Sequence, residues 1–335
     1  MNKHIKIEAP LVYIIVLNYN GRDWLGNCLE SLFKSDYPHF KIAVVDNASQ
    51  DDSVDFIRTN FPAAEIIANP NNLGFTGGMN IGIRRALASR AEYAFLVNED
   101  SKFEAGCLGE LVEVARANQQ IGLLVPVQFK YGSNSLHVVF GRWLRARLGP
   151  KAAHLLENQA ERWYEVQDAS GAAMLVNLQA IRVVGLLDPL YFIYFEESDL
   201  CRRMIFHGFK IGLCSRAHFW HQEHLDARWK TMFLGRSHLI FLLKDPFRAP
   251  LINLGRALVT LLRNLLENAI RLNVRHLAFM LKVCGELGVN YRLIQRRRRL
   301  EMVRFGGVRS FWPQEEEEAA ASNLALSKIR ALLKK

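Results

Sequence analysis

Short apolar runs that end abruptly in polar residues recur in the first part of the chain. Residues 11–17 (LVYIIVL), 41–45 (KIAVV) and 93–97 (YAFLV) are rich in β-branched and aromatic side chains, which is typical of buried strands. A shorter run at 65–68 predicts a further strand. Between the first two runs, apolar side chains recur at helical spacing from residue 24 to residue 33. The pattern therefore predicts strands that alternate with helices.

Such alternation, here from residue 11 to about 117, predicts a mostly parallel sheet with right-handed crossovers. Because the carboxyl ends of parallel strands meet at one edge of a sheet, we expect the polar loops after the three runs to lie together. These loops contain Asn18, Tyr19, Asn20, Asp46, Asn98, Glu99 and Asp100. For any single loop, the alternative is an acidic turn that only ends a strand.

The middle of the chain is less regular. Apolar runs at 121–129, 172–176 and 210–214 predict three more strands, and residues 216–224 indicate a strand that leaves the core. Residues 131–167 show no clear period, so we expect an irregular segment there.

Two polar clusters stand out in this part of the chain. The first opens a predicted helix and consists of Glu196, Glu197 and Asp199. Carboxylates suit the positive end of a helix dipole, so this cluster has a structural interpretation beside a catalytic one. The second consists of His218, His221 and His224. The apolar aromatic residues between these histidines favour a strand over a zinc-binding helix.

The C-terminal part has a different character. Residues 251–270 and 274–299 predict two amphipathic helices, and the second ends in an arginine run that includes Arg292 and Arg296. Such helices either pack against an α/β core or lie on a membrane surface. We therefore predict a domain at 1–245 and a basic helical extension at 246–335, whose tail from residue 313 is a short helix or disordered.

Composition narrows the setting. The 335 residues are 50% hydrophobic and 23% charged, which is ordinary globular material, and the net charge is +10. Five scattered cysteines suggest neither a disulfide framework nor a zinc ribbon, and indicate a cytoplasmic protein. A signal peptide and a run of about 18 uncharged apolar residues are both missing, so we expect neither export nor a membrane span. The basic run lacks interleaved aromatics, which argues against nucleic-acid binding.

The strand-end loops suggest a chemistry. Neither a P-loop nor a G-x-G-x-x-G follows the first strand, so phosphate would have to be bound by another device. A Mg²⁺ or Mn²⁺ ion held by Asp100 would need only one or two carboxylates beside phosphate oxygens, and could stabilise a departing diphosphate. Glu196, Glu197 or Asp199 would then be free to act as general base toward a hydroxyl.

Five motifs in order, VYIIVLNYNG, VVDNASQDDS, NPNNLGFTGGMNIGI, FLVNED and FIYFEESDLCRR, closely resemble those of glycosyltransferase family 2, in particular its bacterial rhamnosyltransferase-like members. The resemblance covers residues 11 to about 245. It implies a GT-A fold, a Rossmann-like α/β architecture, and inverting transfer from a nucleotide-diphosphate sugar, dTDP- or UDP-linked.

The resemblance also implies roles for single residues. Tyr19 would lie beside the base and Asp46 would read it, while Asn18 and Asn20 belong to the same donor site. The residues that match the family's ribose and diphosphate loop are Asn72, Gly78 and Asn80. Asn98 to Asp100 takes the place of the metal motif, with Asp100 as its remaining carboxylate in the usual position.

On the acceptor side, Glu197 matches the family's catalytic base, with Glu196 beside it and Asp199 as an alternative. His221 resembles a late histidine that is a candidate metal ligand, and Arg236 matches a residue that meets the diphosphate.

These roles predict a glycosyltransferase that extends a glycan or a polyprenyl-linked acceptor, with rhamnose as a candidate donor sugar, in cell-surface polysaccharide synthesis. The cationic helices predict peripheral attachment to the anionic inner face of the cell membrane. Two other hypotheses keep the fold: a nucleotidyltransferase acting on a sugar phosphate, and a catalytically inactive scaffold at the membrane surface.

Overall fold

The structure is a computed structural model that describes residues 9–155, 161–222, 227–270 and 274–302. His224 and the predicted tail from residue 313 lie outside the described residues. The described part forms two compact units. The sheet unit contains residues 9–72, 78–155, 161–181 and 210–222, and the helical unit contains residues 73–77, 182–209, 227–270 and 274–302. The predicted boundary near residue 245 divides the chain differently and stays a prediction.

The nine strands of the described part all belong to the sheet unit, and they are β1 Val12–Asn18, β2 Phe40–Asp46, β3 Glu65–Ala68, β4 Tyr93–Asn98, β5 Ser101–Phe103, β6 Ile121–Lys130, β7 Trp163–Val166, β8 Ala173–Asn177 and β9 Lys210–His221. The α-helices of the described part are α1 Arg22–Phe33, α2 Ser53–Asn60, α3 Gly74–Ala88, α4 Cys107–Ala117, α5 Val138–Leu148, α6 Leu178–Val184, α7 Glu196–Phe206, α8 Ala227–Leu243, α9 Pro250–Ile270 and α10 Val274–Met302, and a 3₁₀ helix spans Gly149–His154.

The strands form one mixed sheet in the order β3-β2-β1-β4-β8-β6-β9-β5, with β7 pairing to β9. β1 runs parallel to β2 and β4, whereas β8 runs antiparallel to β4. In register, Asn18 stands opposite Asp46, and Leu17 stands opposite Asn98. The prediction that three polar loops leave the same edge of the sheet is therefore confirmed.

Burial explains why β1 has no polar position before its end. Its residues from Val12 to Leu17 are at most 7% exposed, as expected for a central parallel strand with both faces covered. Val12, Ile14 and Val16 belong to one core cluster with apolar side chains of α1, among them Leu25 and Leu29. The strand ends where its next side chain, Asn18, must find polar partners.

Two stretches differ from the expected elements. Residues 131–167 contain α5 and β7, although the sequence predicted no regular structure there. The pattern missed α5 because its buried apolar side chains are few, chiefly Phe140 and Leu144. The two strands expected at 210–214 and 216–224 are one continuous strand, β9, with an irregularity: Pro126 pairs with Cys214, and the next residue of β6 pairs with His218.

The helical unit has its own apolar core. Leu190 and Tyr191 pack with side chains of α8, α9 and α10, including Leu239, Ala257 and Met280. The two predicted amphipathic helices are present as α9 and α10. None of the helices in the described part is both long and apolar enough to cross a membrane.

Candidate functional site

The end of β1 is tied to the end of β2 by hydrogen bonds. Asn18 is fully buried, and its Nδ2 donates to Asp46 Oδ1 at 2.8 Å and to Ser49 Oγ at 3.1 Å. The backbone N–H of Ser49 donates to Asp46 Oδ2 at 3.0 Å. Ala48 between them has a φ of 62°, a left-handed conformation that is costly for a residue with a Cβ. The Asp46 carboxylate is thereby held at a defined position at the sheet edge.

The residues after Asn18 are held in the same way. Asn20 has a φ of 53°, its N–H donates to Ser49 Oγ at 2.9 Å, and its Oδ1 accepts from the N–H of Gln50 at 2.7 Å. Tyr19 between them is 42% exposed. A fixed backbone with an outward aromatic ring suits stacking on a flat ligand.

The loop after β4 lies against the loop after β1. A Cβ on Gly21 would come within 2.4 Å of Glu99 Cγ and 2.5 Å of Asn18 Oδ1, so only glycine fits between them. The N–H of Asn98 donates to the carbonyl of Ala172 at 3.1 Å. The predicted convergence of these two loops is therefore seen as the close packing of the Glu99 side chain against Gly21.

Gly78 of α3 packs at the same end of the sheet. A Cβ on Gly78 would lie 2.3 Å from Leu17 Cδ1 and 3.0 Å from Asn47 Nδ2, so this position packs directly on the end of β1. Asn80, two residues later in the same helix, is 4% exposed, and Asn72 before the helix is half-buried. Of these three predicted residues, Gly78 is the one whose contacts place it at the edge that carries Asp46.

The predicted metal ligands Asp100 and His221 are neighbours. The antiparallel pairing of β5 with β9 sets Ser101 opposite His221, and the N–H of Gln222 donates to the Asp100 carbonyl at 3.1 Å. Asp100 Oδ1 lies 3.0 Å from His221 Nε2, and the two residues are 4% and 8% exposed. His221 Nε2 makes no hydrogen bond to a described residue, so the short approach lacks hydrogen-bond geometry.

This approach fits two ligands of one small cation. Two atoms each about 2.1 Å from Mg²⁺ or Mn²⁺, at a right angle, are about 3.0 Å apart. Within the described ranges there is no group of three or more His, Cys, Asp or Glu side chains that could hold a metal. Asp100 and His221 would therefore supply two positions and leave the others to phosphate and water oxygens.

Gln128 was missed by the sequence interpretation. It is 3% exposed on β6, and its Nε2 lies 2.9 Å from His221 Nδ1. Ser170 Oγ donates to Gln128 Oε1 at 3.0 Å. The signal for Gln128 was a single amide within the otherwise apolar run at 121–129.

In the helical unit, α7 begins with a strained turn. Tyr194 and Phe195 have φ values of 69° and 67°, and Glu196 and Glu197 follow as the first helical residues. Glu196 is 3% exposed, whereas Glu197 is half-buried. Burial, together with the neighbouring Glu197 carboxylate, raises the pKa of Glu196 well above its usual value.

Asp199 lies in a different environment from the two glutamates. It is fully buried, and it accepts from Arg203 Nε at 2.9 Å, Arg202 Nη2 at 3.1 Å and Lys244 Nζ at 3.1 Å. Burial alone would raise the pKa of Asp199, but these three cations outweigh it and lower the pKa. Lys244 also binds Asp188, which Arg297 of α10 contacts at 2.6 Å.

Arg236 is also held within the helical unit. It is 1% exposed, and its guanidinium binds both carboxylate oxygens of Glu286, at 3.2 and 2.5 Å. Its Nη1 donates to the carbonyl of Leu190 at 2.9 Å. The sequence predicted that Arg236 meets a diphosphate, and the structure places it in a bidentate ion pair between α8 and α10.

The motifs that end β1, β2 and β4 thus lie at one edge of the sheet unit. A family comparison decides to which family the chain belongs. The model of the family "Glycosyl transferase family 2" matches residues 13–182, about half of the chain. The chain belongs to glycosyltransferase family 2. The predicted family and the predicted enzyme class are thereby confirmed, and this chain is a glycosyltransferase.

A relative named as a hexosyltransferase agrees with this assignment. The transferase is 24% identical over 216 residues to the low-salt glycan biosynthesis hexosyltransferase Agl10 of Haloferax volcanii, which covers 64% of this chain and 67% of the relative.

Solved structures confirm the GT-A fold. Mannosyltransferase PcManGT from Pyrobaculum calidifontis, in complex with GDP-Man and Mn²⁺, superimposes with a TM-score of 0.56 at 15% identity, covering 95% of this chain and 87% of that one. GalNAc-T7 with UDP, GalNAc and Mn²⁺ gives a TM-score of 0.56 at 14% identity. That match covers 70% of this chain, which spans about half (48%) of the GalNAc-T7 chain.

Proposed function

We propose that this glycosyltransferase moves a sugar from a nucleotide-diphosphate sugar to a hydroxyl of a glycan or polyprenyl-linked acceptor, with inversion at the anomeric carbon. The observation that carries the proposal is the Asp100–His221 pair, 3.0 Å apart on the sheet that also holds the fixed Asp46 carboxylate. Two cation ligands, on the same sheet as a carboxylate that can accept hydrogen bonds from a base, suit a diphosphate-linked donor.

On the donor side, Tyr19 stacks on the nucleotide base and Asp46 accepts hydrogen bonds from it. The ribose and diphosphate lie over Asn72, Gly78 and Asn80. That assignment is supported by the packing of Gly78, which leaves no room for a side chain between α3 and the end of β1. Asn98 completes the loop beside Asp100.

Asp100 and His221 would hold the divalent cation. When bound, Mg²⁺ or Mn²⁺ supplies Lewis-acid stabilisation of the charge that develops on the leaving diphosphate. The structures of PcManGT and GalNAc-T7 both contain Mn²⁺, which supports this assignment by analogy.

Glu197 acts as the general base in this proposal. As the acceptor oxygen bonds to the anomeric carbon and the bond to the diphosphate breaks, Glu197 takes the hydroxyl proton. Glu196 is a weaker candidate because burial beside the Glu197 carboxylate raises its pKa well above the usual value and so favours its protonated form. Asp199 is weaker still because three cations surround its carboxylate.

The experiment is a donor screen followed by site variants. Mass spectrometry would follow hydrolysis and transfer from UDP-, dTDP- and GDP-linked sugars, with rhamnose among them. With the donor that reacts, Glu197→Gln should lower kcat by about 10²–10⁴-fold, since general bases contribute on that scale, while its melting temperature stays unchanged. The anomeric configuration of the product, read by NMR, tests inversion. Wild-type kcat in Glu197→Gln would remove Glu197 as the base.

Arg236 needs a second conformation if it is to meet the diphosphate. In the structure its guanidinium is satisfied by Glu286 and the Leu190 carbonyl. We therefore infer that its primary role is to join α8 to α10, and that Arg236→Lys lowers the melting temperature more than it changes the KM for donor.

Membrane attachment is the second part of the proposal, and the exposed face of α9 supports it. This face carries large apolar side chains in contact with solvent, and its members are Leu251 at 81% exposed, Leu258 at 49%, Val259 at 67%, Leu262 at 64%, Leu266 at 63% and Ile270 at 74%. Arg292, Arg296 and Arg299 are exposed on the neighbouring α10 and would favour anionic lipid.

Flotation with vesicles of anionic phospholipid tests this attachment. Leu262→Glu should abolish flotation at low salt, whereas the neighbouring Arg263→Gln should retain most of it, since Arg263 lies outside the apolar stripe and is paired with Glu267. Equal flotation of wild type and Leu262→Glu would rule out the α9 face as the attachment surface.

A further inference from the structure

The amide of Gln128 is buried between two polar partners that come from different strands and loops. Lys130 of β6 pairs in register with His221 of β9, so Gln128, two residues earlier, points to the same face of the sheet. The alternation of the strand therefore aims Gln128 at the imidazole, and Ser170, from the loop before β8, closes the chain of contacts on the other side.

The hydrogen bonds have a direction. Because Ser170 Oγ donates to Gln128 Oε1, the amide presents its N–H₂ group to His221 Nδ1 at 2.9 Å. An imidazole nitrogen that accepts a hydrogen bond carries no proton, so neutral His221 in this arrangement has its proton on Nε2.

That tautomer cannot bind a cation through Nε2, the atom that faces Asp100. Metal binding at Nε2 needs the lone pair there and the proton on Nδ1. His221 Nδ1 must then donate, and Gln128 must offer its oxygen instead of its nitrogen. In this exchange one proton leaves Nε2 and one is taken up at Nδ1.

We propose that Gln128 and Ser170 form a reversible amide switch that sets the tautomer of His221 and so governs its availability as a cation ligand. Rotation of the Gln128 amide by about 180° brings Oε1 to His221 and Nε2 to Ser170, whose hydroxyl can accept as well as donate. Glutamine and serine suit this task because each can reverse its hydrogen-bond role, whereas a carboxylate could only accept. Gln128 is thus a positioning residue for His221, and the inference rests on the proposed metal site.

Nitrogen-15 NMR reads the tautomer directly. Long-range ¹H–¹⁵N correlation of labelled protein, with the His221 signals assigned from a His221→Ala sample, should show Nε2–H without cation. After addition of Mg²⁺ and UDP, the same ring should show Nδ1–H. A ring that carries its proton on Nδ1 before any cation is added would overturn the switch.

Variants test the role of the amide in binding. Manganese EPR titration, with Mn²⁺ alone and with UDP, should show affinity about 10–100-fold weaker in Gln128→Leu, the usual cost of losing such an outer hydrogen bond. Gln128→Glu, which holds Nδ1–H permanently, should bind Mn²⁺ at least as tightly as wild type. Ser170→Ala should fall between wild type and Gln128→Leu. Gln120→Leu, a like change at an exposed site, should leave binding unchanged.

The outcomes separate this inference from the metal site itself. Mn²⁺ binding that is lost in His221→Ala but unchanged in Gln128→Leu would keep the site and reject the switch. Binding unchanged in His221→Ala would reject the metal site first. If Gln128→Leu fails to fold by circular dichroism, Gln128→Glu and the wild-type NMR spectra still decide the matter, because weaker Mn²⁺ binding by Gln128→Glu would contradict the switch.

Discussion

Replacing Asp199 should lower the free energy of unfolding more than replacing Lys244 does, although both residues belong to one buried network. The network contains two carboxylates, Asp188 and Asp199, and four cations, Lys244, Arg202, Arg203 and Arg297. The cluster is therefore formally positive. Asp199→Asn makes it more positive, whereas Lys244→Met brings it closer to neutrality.

The magnitudes follow from which partners remain. After Lys244→Met, Asp188 keeps Arg297 at 2.6 Å and Asp199 keeps Arg203 at 2.9 Å, so no carboxylate is left alone. Removing one partner of a buried pair costs about 3–5 kcal/mol, and we expect about 3 kcal/mol here. Asp199→Asn leaves Arg202, Arg203 and Lys244 without their shared anion, and we expect about 5 kcal/mol.

Urea unfolding followed by circular dichroism gives both free energies of unfolding, with the slope checked for constancy between variants. Glu267→Gln, which breaks an exposed pair with Arg263, is the control and should leave the midpoint unchanged. The pH dependence adds a second test. Because the pKa of Asp199 is lowered in the folded state, its contribution is present above about pH 4 and is lost on further acidification. Asp199→Asn should therefore weaken the acid limb of the stability curve.

The reasoning would be refuted if Lys244→Met costs as much stability as Asp199→Asn, or more. The stability of the network would then depend on the lysine and not on the small number of carboxylates. If Asp199→Asn keeps full stability yet abolishes sugar transfer, Asp199 and not Glu197 is the general base.

Three further predictions concern stability. Burial raises the pKa of Tyr37 to about 12, so the free energy of unfolding falls as the pH rises from about 10 toward 12. Phenylalanine cannot ionise, so Tyr37→Phe should remove up to about 2.7 kcal/mol of that alkaline loss, measured by urea unfolding at each pH. Gly78→Ala should cost about 1–3 kcal/mol in the same assay, since its Cβ would lie 2.3 Å from Leu17 Cδ1. Arg297→Ala should lower the melting temperature sharply, because Arg297 is 4% exposed and bound to a buried carboxylate. Arg296 is exposed, so Arg296→Ala should leave the melting temperature unchanged, and equal effects of the two variants would contradict the prediction.

The sheet edge could be predicted because the ends of its strands are marked by short stretches of sequence. A buried strand must end where polar side chains begin, and parallel strands bring such ends together whatever their order. Asn18, Asp46 and Asp100 could therefore be placed on one edge from runs of apolar residues alone, and Asn18 and Asp46 are joined at 2.8 Å. The order β3-β2-β1-β4 could not be read in this way, because it depends on which strands pair across long separations.

The arginine run shows where pattern fails. Arg296 to Arg299 look alike in the sequence and suggest one cationic surface, yet Arg297 and Arg298 are 4% and 6% exposed. Arg298 donates to the backbone carbonyls of Asp245 and Arg248 at 3.0 and 2.6 Å. The packing of α10 against the end of α8 decides which arginines stay exposed, and the sequence pattern does not show this packing.

The three carboxylates at the start of α7 show the same limit of sequence patterns for functional residues. Glu196, Glu197 and Asp199 are equivalent as a sequence pattern, and each fits either a helix dipole or a general base. Their surroundings separate them: Glu196 is buried beside another carboxylate, Asp199 is surrounded by cations, and Glu197 is half-buried. A general base must be both unprotonated and reachable by the hydroxyl it serves. Burial beside Glu197 raises the pKa of Glu196 and so favours its protonated form, and ion pairing occupies the carboxylate of Asp199. Glu197 is the member of this cluster that can meet both, which is why its substitution should separate loss of transfer from loss of stability.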